Sequence, residues 1–136
     1  MNDILVDTSV WSLALRRPSA EPNPQAIELQ NLITDLRVVM IGPIRQELLS
    51  GIRHPQQYQK LRNRLQAFPD LVLAAADYEL AAEYFNICRS NGVQGSNTDF
   101  LICAVAVNHQ LQIFTTDQDF ELFQQYLPIG LYKLRP

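Results

Sequence analysis

Short β-branched runs alternate along this chain with longer segments of helical periodicity, and no other feature constrains the fold as strongly. DILVD at 3–7, RVVMI at 37–41 and LQIFTTD at 111–117 have the composition of buried strands. Between the first two, Ile27, Leu29, Leu32, Ile33 and Leu36 recur at near-helical spacing over residues 23–36, behind a Pro pair suited to a helix start. Gly42 and Pro43 open a helix through Ile52, and Pro55 opens another that runs to Phe68. DLVLA at 70–74 reads as a further short strand, and Tyr78 to Ser90 as a helix closed by Asn91 and Gly92. SNTD caps an apolar helix from Phe100 to Asn108, DFELFQQY is a short helix and IGLYKL a last strand. The order β-α-β-α-α-β-α-α-β-α-β predicts an α/β fold with a mainly parallel central sheet and helices on both faces. A chain of 136 residues, 47% of them apolar, is the size of one compact domain, 1–136. RRPSAEPNPQ at 16–25 is too short for an interdomain linker and reads as a surface loop.

The N-terminus carries Asp3 and only a brief apolar run, unlike a signal peptide. FLICAVAV at 100–107, the longest apolar stretch elsewhere, falls well short of the roughly 20 residues of a spanning helix. The expectation is a soluble, cytoplasmic protein with no membrane partner. Cys88 and Cys103, far apart and each in an apolar helix-like pattern, read as buried free thiols in a reducing compartment. The net charge of −3 carries no global nucleic-acid signature. Its distribution says more: Arg45, Arg53, Lys60, Arg62 and Arg64 face the single acid Glu47 over residues 45–64, whereas residues 65–136 hold eight acids and three bases. That basic segment is either a solvated face or a strip that contacts phosphates.

The acids carry the chemistry. In open α/β sheets the ligand site lies beyond the carboxyl ends of the strands. Two predicted strands end on an acid, Asp7 after ILV and Asp117 after QIFTT, so neighbouring strands would bring two carboxylates into one crevice. Asp7 is equally suited to capping a helix through Ser12 and Leu15. Glu47 borders the inward stripe of its helix, Ile44, Leu48 and Ile52, and either enters the site or turns outward to Arg45 or Arg53. Asp99 opens the all-round apolar helix, where the macrodipole alone accounts for an acid. Gathered together, these carboxylates repel one another unless a cation offsets their charge. Hard Mg²⁺ or Mn²⁺ suits oxygen ligands, and the chain has no compact His or Cys cluster for zinc, His54 and His109 reading as turn and capping residues. An acid-only metal site with water is the chemistry of phosphodiester hydrolysis. The hydroxyls of Thr8, Ser9, Thr115 and Thr116 either orient that site or serve strand-end capping, and Trp11 reads as core or interface.

DTSVW after a short strand, PIRQELLSG, NTDFLICAVA and IFTTDQDF, in that order, resemble the PIN-domain ribonucleases, most closely the VapC-type toxins of bacterial toxin–antitoxin pairs. The resemblance spans nearly the whole chain. It implies a PIN-like three-layer fold in which Asp7, Glu47, Asp99 and Asp117 form the catalytic acidic site. Asp7, Asp99 and Asp117 are then the ligands of one or two Mg²⁺ or Mn²⁺ ions, and Glu47 is a ligand or positions the attacking water. Thr8 and Thr115 match supporting hydroxyl positions, and Asp119 is a second acid beside the motif's own Asp117. The implied activity is metal-dependent endonucleolytic cleavage of RNA, such as tRNA or rRNA, with Arg45, Arg53, Lys60, Arg62 and Arg64 holding the flanking backbone. A homodimer and a cognate antitoxin are implied as partners. Thr98 directly before Asp99 departs from the usual approach to the third acid. Two rivals stand beside this reading. A phosphatase of the haloacid dehalogenase type requires a second Asp where this chain has Ser9. A catalytically silent PIN-fold module would bind RNA or a partner without cutting.

Overall fold

A computed structural model of the chain describes residues 2–15 and 23–135. Its centre is a parallel three-stranded sheet of β1 (Ile4–Val6), β2 (Val38–Val39) and β3 (Gln112–Phe114), in the order β2-β1-β3. All three residues of β1 are fully buried, as a middle strand covered on both faces requires. Seven helices among the described residues flank it: α1 (Thr8–Leu15), α2 (Pro24–Thr34), α3 (Gly42–Leu49), α4 (Pro55–Leu65), α5 (Ala75–Ser90), α6 (Asn97–Asn108) and α7 (Asp119–Gln124). The register pairs Val6 with Phe114, so the residues that follow, Asp7 and Thr115, leave the sheet side by side at its carboxyl edge.

Local signals set most helix ends. Asn23 caps α2 by accepting the Ala26 N–H at 3.0 Å, and Ser96 caps α6 by accepting the Asp99 N–H at 3.0 Å. Gly92, at φ +75°, closes α5 in the left-handed region that an L side chain resists. Helix α6 is buried from Phe100 through Ala106, which accounts for its lack of a polar face. Trp11 lies in the core with its ring centroid 5.0 Å from that of Phe68. Cys88 and Cys103 are free and buried.

Three expectations need correction. The predicted order omits a helix over residues 8–15, which the capping reading of Asp7 allows and which the structure shows as α1. DLVLA forms no strand: Leu71 and Leu73 pack partly against the core while Val72 between them is 85% exposed, and the run contributes one bridge, Met40 to Asp70, with no further residue paired in register. IGLYKL likewise makes a single bridge, Ile113 to Leu131, before the chain leaves the sheet edge. Of the surface loop expected over 16–25, residues 16–22 lie outside the described residues.

The chain leaves that edge to reach a buried carboxylate. Glu28 of α2 is 5% exposed, accepts from Arg135 Nε and Nη2 at 2.9 Å each, and accepts from the Tyr132 hydroxyl at 2.6 Å. The Arg135 guanidinium, opposed by burial and helped by Tyr132 and Asn31, holds the Glu28 carboxyl down from 4.5 to about 2. A folded value below the unfolded one means that this contribution is complete above pH 4.5 and is lost as pH falls toward 2. The difference in Tm between wild type and Glu28→Gln should therefore be constant from pH 5 to 7 and shrink below pH 4.5. A difference that does not change with pH would show that the carboxylate charge contributes nothing there.

Candidate active site

Asp7 stands where β1 ends and α1 begins, and it serves both. Its backbone carbonyl accepts the first helical N–H groups, Val10 at 3.1 Å and Trp11 at 3.3 Å. Its side chain, in a residue 6% exposed, is held in the crevice beyond the strands. The Thr8 N–H donates to Oδ1 at 2.8 Å, and the Ser9 and Thr115 hydroxyls donate to Oδ2 at 2.9 and 2.8 Å. The capping reading and the site reading of Asp7 are thus one geometry.

The four hydroxyl residues divide the work. Thr115 bridges Asp7 to the next acid, since its Oγ1 also accepts the Asp117 N–H at 3.0 Å. Ser9 Oγ accepts the Thr116 N–H at 3.1 Å, tying α1 to the segment after β3, while the Thr116 hydroxyl plays no part in that contact. Thr8 Oγ1 donates to Glu47 Oε1 at 2.7 Å and draws the exposed Glu47 of α3 to the same edge. Asp119 contributes its backbone N–H to Asp117 Oδ1 at 2.9 Å, so its part here is to orient Asp117 from the first turn of α7.

Asp99 arrives from the head of α6. It is fixed by a reciprocal capping box: Ser96 N–H donates to Asp99 Oδ2 at 3.0 Å while Asp99 N–H donates to Ser96 Oγ. Thr98 before Asp99 does not disturb the cap, because Ser96 supplies it. The S-x-x-D spacing carried that signal in the sequence. Ser96 was legible there as a cap, not as the group that aims Asp99.

The acids act on one another through their charges. Burial pushes the Asp7 carboxyl up, against the hydrogen bonds of Thr115, Ser9 and Thr8, and the Glu47 charge adds to the rise. Asp99 is pushed up by burial, against its Ser96 bonds, and further by the charges of Asp7 and Asp117. The Cys103 thiol, one turn along α6 from Asp99, is pushed up by burial and then by the Asp99 charge. Each carboxylate nevertheless turns toward its own local donors, and no three His, Cys, Asp or Glu residues among the described residues stand as a ready metal-holding group. The donor set still fits a hard cation: Asp7 and Asp99 feel the charges of neighbouring carboxylates, and hydroxyls stand between them. His109 pairs instead with Asp77, Nε2 to Oδ1 at 3.3 Å, and His54 begins α4.

The basic strip divides. Arg45 does not belong to it: its guanidinium donates to Asp70 Oδ1 and to the Leu65 carbonyl, both at 3.0 Å, and to the Phe68 carbonyl, fastening α3 to the end of α4. Arg53, Lys60 and Arg64 line a cleft of about 660 Å³ between the end of α1 and α4, and Arg62 is exposed outside it.

A parallel sheet whose carboxyl edge collects acids from β1, α3, α6 and the segment after β3 defines a class. The PIN domain family model matches residues 4–124, and the chain belongs to that family. It is 32% identical over 123 residues to the VapC ribonuclease Mb1587 of Mycobacterium bovis, covering 88% of this chain and 90% of that protein. Ribonuclease VapC11 of Mycobacterium tuberculosis H37Rv is similar to the same extent over the same shares. Among solved structures, FitAcB from Neisseria gonorrhoeae superposes with a TM-score of 0.75 at 22% identity over 96% of each chain. FitAB bound to an IR36 DNA fragment superposes with a TM-score of 0.73 at 18% identity, over 95% of this chain and 93% of that one. These two likenesses establish the fold.

Proposed function

We propose that this chain is the toxin ribonuclease of a VapBC-type toxin–antitoxin pair, an endonuclease that hydrolyses RNA phosphodiester bonds with Mg²⁺ or Mn²⁺. One observation carries the chemistry: Asp7, buried and held by three donors, shares its field with Glu47, Asp99 and Asp117 at the carboxyl edge of the sheet. The 32% identity to proteins named VapC ribonuclease supports the substrate class and a cognate antitoxin as partner. Structured RNA such as tRNA or rRNA, and a homodimer, belong to the same reading.

Asp7, Asp99 and Asp117 would hold the cation. When bound, it supplies positive charge against phosphate oxygens and makes water more acidic. The rest falls to the chain. Ser9, Thr115 and the Thr8 N–H orient Asp7 and favour its ionised form against its burial. Ser96 orients Asp99, and the Asp119 N–H orients Asp117. Glu47, steadied by Thr8, positions the attacking water in line with the scissile bond. Arg53, Lys60 and Arg64 hold the RNA backbone in the basic cleft. The dispersal of the carboxylates over local donors favours one second reading, a silent module that binds RNA without cutting it.

Cleavage of total tRNA and rRNA by the purified chain, in EDTA and then in Mn²⁺, tests the proposal. Cleavage should appear only with metal. Replacing Arg53, Lys60 and Arg64 together by Ala should weaken RNA binding about tenfold or more and lower its salt dependence by roughly three contacts. RNA binding with no cleavage in either condition selects the silent module.

A further inference from the structure

A second cavity, of about 420 Å³, opens between α5 and the head of α6. Its position ties it to the acids. Thr98, which lines it, immediately precedes Asp99, and Pro43, also on its wall, lies one turn before Glu47 on α3. A group seated there lies against the backbone segments that carry Asp99 and Glu47.

The lining specifies the group. None of its nine residues is charged. With no basic side chain on its walls the cavity has nothing to pair with a phosphate, so its lining admits a neutral moiety. Tyr78, 55% exposed, and Phe85 offer ring surface, and Phe85 is braced edge-on against Phe100 with centroids 5.5 Å apart. Asn86 and Asn97 place two exposed carboxamides at the margin, both free of hydrogen bonds among the described residues. Flat apolar faces with donors and acceptors at the edge are what an unstacked base requires.

Resting on the ribonuclease reading above, we infer that this cavity receives the base of a nucleotide next to the cleaved bond, with Tyr78 and Phe85 stacking on it and Asn86 and Asn97 reading its edge. It is then a specificity determinant, separate from the acids and from the basic cleft.

The test uses the full chain carrying Asp7→Asn, so that RNA is bound and not cut, with short single-stranded RNAs of A, C or U alone and of alternating G and U. Anisotropy titrations should reveal a preference among them. Asn86→Ala with Asn97→Ala should flatten that preference, and Tyr78→Ala should weaken binding of every RNA about tenfold. The thermal transition of each variant checks that these exposed changes leave the fold intact. An unchanged preference and unchanged affinities overturn the inference. So does a Tyr78→Ala protein that binds RNA normally but halves its mass in sedimentation, since this face would then join two copies of the chain. Wild-type cleavage is followed separately. Cleavage without any effect of the three residues sinks the base site alone, and a flattened preference without wild-type cleavage sinks the nuclease alone. Failure of every RNA to bind sinks both.

Discussion

Asp7→Asn should reduce RNA cleavage by more than about a hundredfold while raising the Tm of the partner-free protein at neutral pH. Groups that only orient a metal ligand cost about 10–100-fold when lost, and Asp7 is proposed as a ligand itself. The stability gain follows from the direction of the shift. Burial raises the folded proton affinity of Asp7 above its ordinary 3.8, so the protonated form is the one that folding favours. Its contribution is complete below 3.8, falls as pH rises through the folded value, and leaves the bare charge as a cost at pH 7. Asn removes that cost without orphaning its neighbours. The remaining oxygen still accepts the Thr8 N–H, and the Ser9 and Thr115 hydroxyls can rotate to accept from the new amide. Mn²⁺ should stabilise the wild type by ~2.7 kcal/mol at a hundredfold excess over its dissociation constant and leave the variant unmoved. A variant that melts lower, with activity lost in proportion, would make Asp7 a structural cap alone.

Gly95→Ala should be the most damaging small change near the site. A Cβ at Gly95 would stand 2.7 Å from Phe123 Cζ and 3.0 Å from Phe100 Cε2 and Cζ. Both rings are packed: Phe100 and Phe123 are 1% and 0% exposed, their centroids are 4.9 Å apart, and Phe85 and Phe120 stand edge-on against them. Overpacking of this kind costs about 1–3 kcal/mol, or roughly 4–12 °C in Tm. The backbone that must yield runs directly into Ser96, so relief displaces the box that aims Asp99. Activity measured well below the transition should fall along with stability. Full activity at that temperature would show that α6 absorbs the strain without moving Asp99.

Residues 96–99 and 95 illustrate what is legible and what is not. The Ser96 to Asp99 spacing announces a cap, because a capping box is closed within one helical turn. Nothing around Gly95 announces that it lies against Phe123, because that contact joins residues 28 positions apart. Arg45 is the same case in charge. Its place among basic residues reads as a phosphate strip, yet Asp70 and two carbonyls at the end of α4 engage it first. DLVLA and IGLYKL have strand composition, but strand formation needs a partner edge in register, and each found only one bridge.

The sequence by itself determined the three strands that form the sheet, the helices from α2 onward, a helix start near Asn23, a cap within residues 96–99, and the acids Asp7 and Asp117 placed just past two strands. Those features depend on periodicity and on hydrogen bonds spanning a few residues. Only the tertiary structure decided that Val6 and Phe114 stand in register, which sets Asp7 within reach of Thr115, and that Glu28 is buried against Arg135. Those pairs span 108 and 107 positions. Their partners are chosen by packing and desolvation across the folded chain, and linear spacing carries no record of that choice.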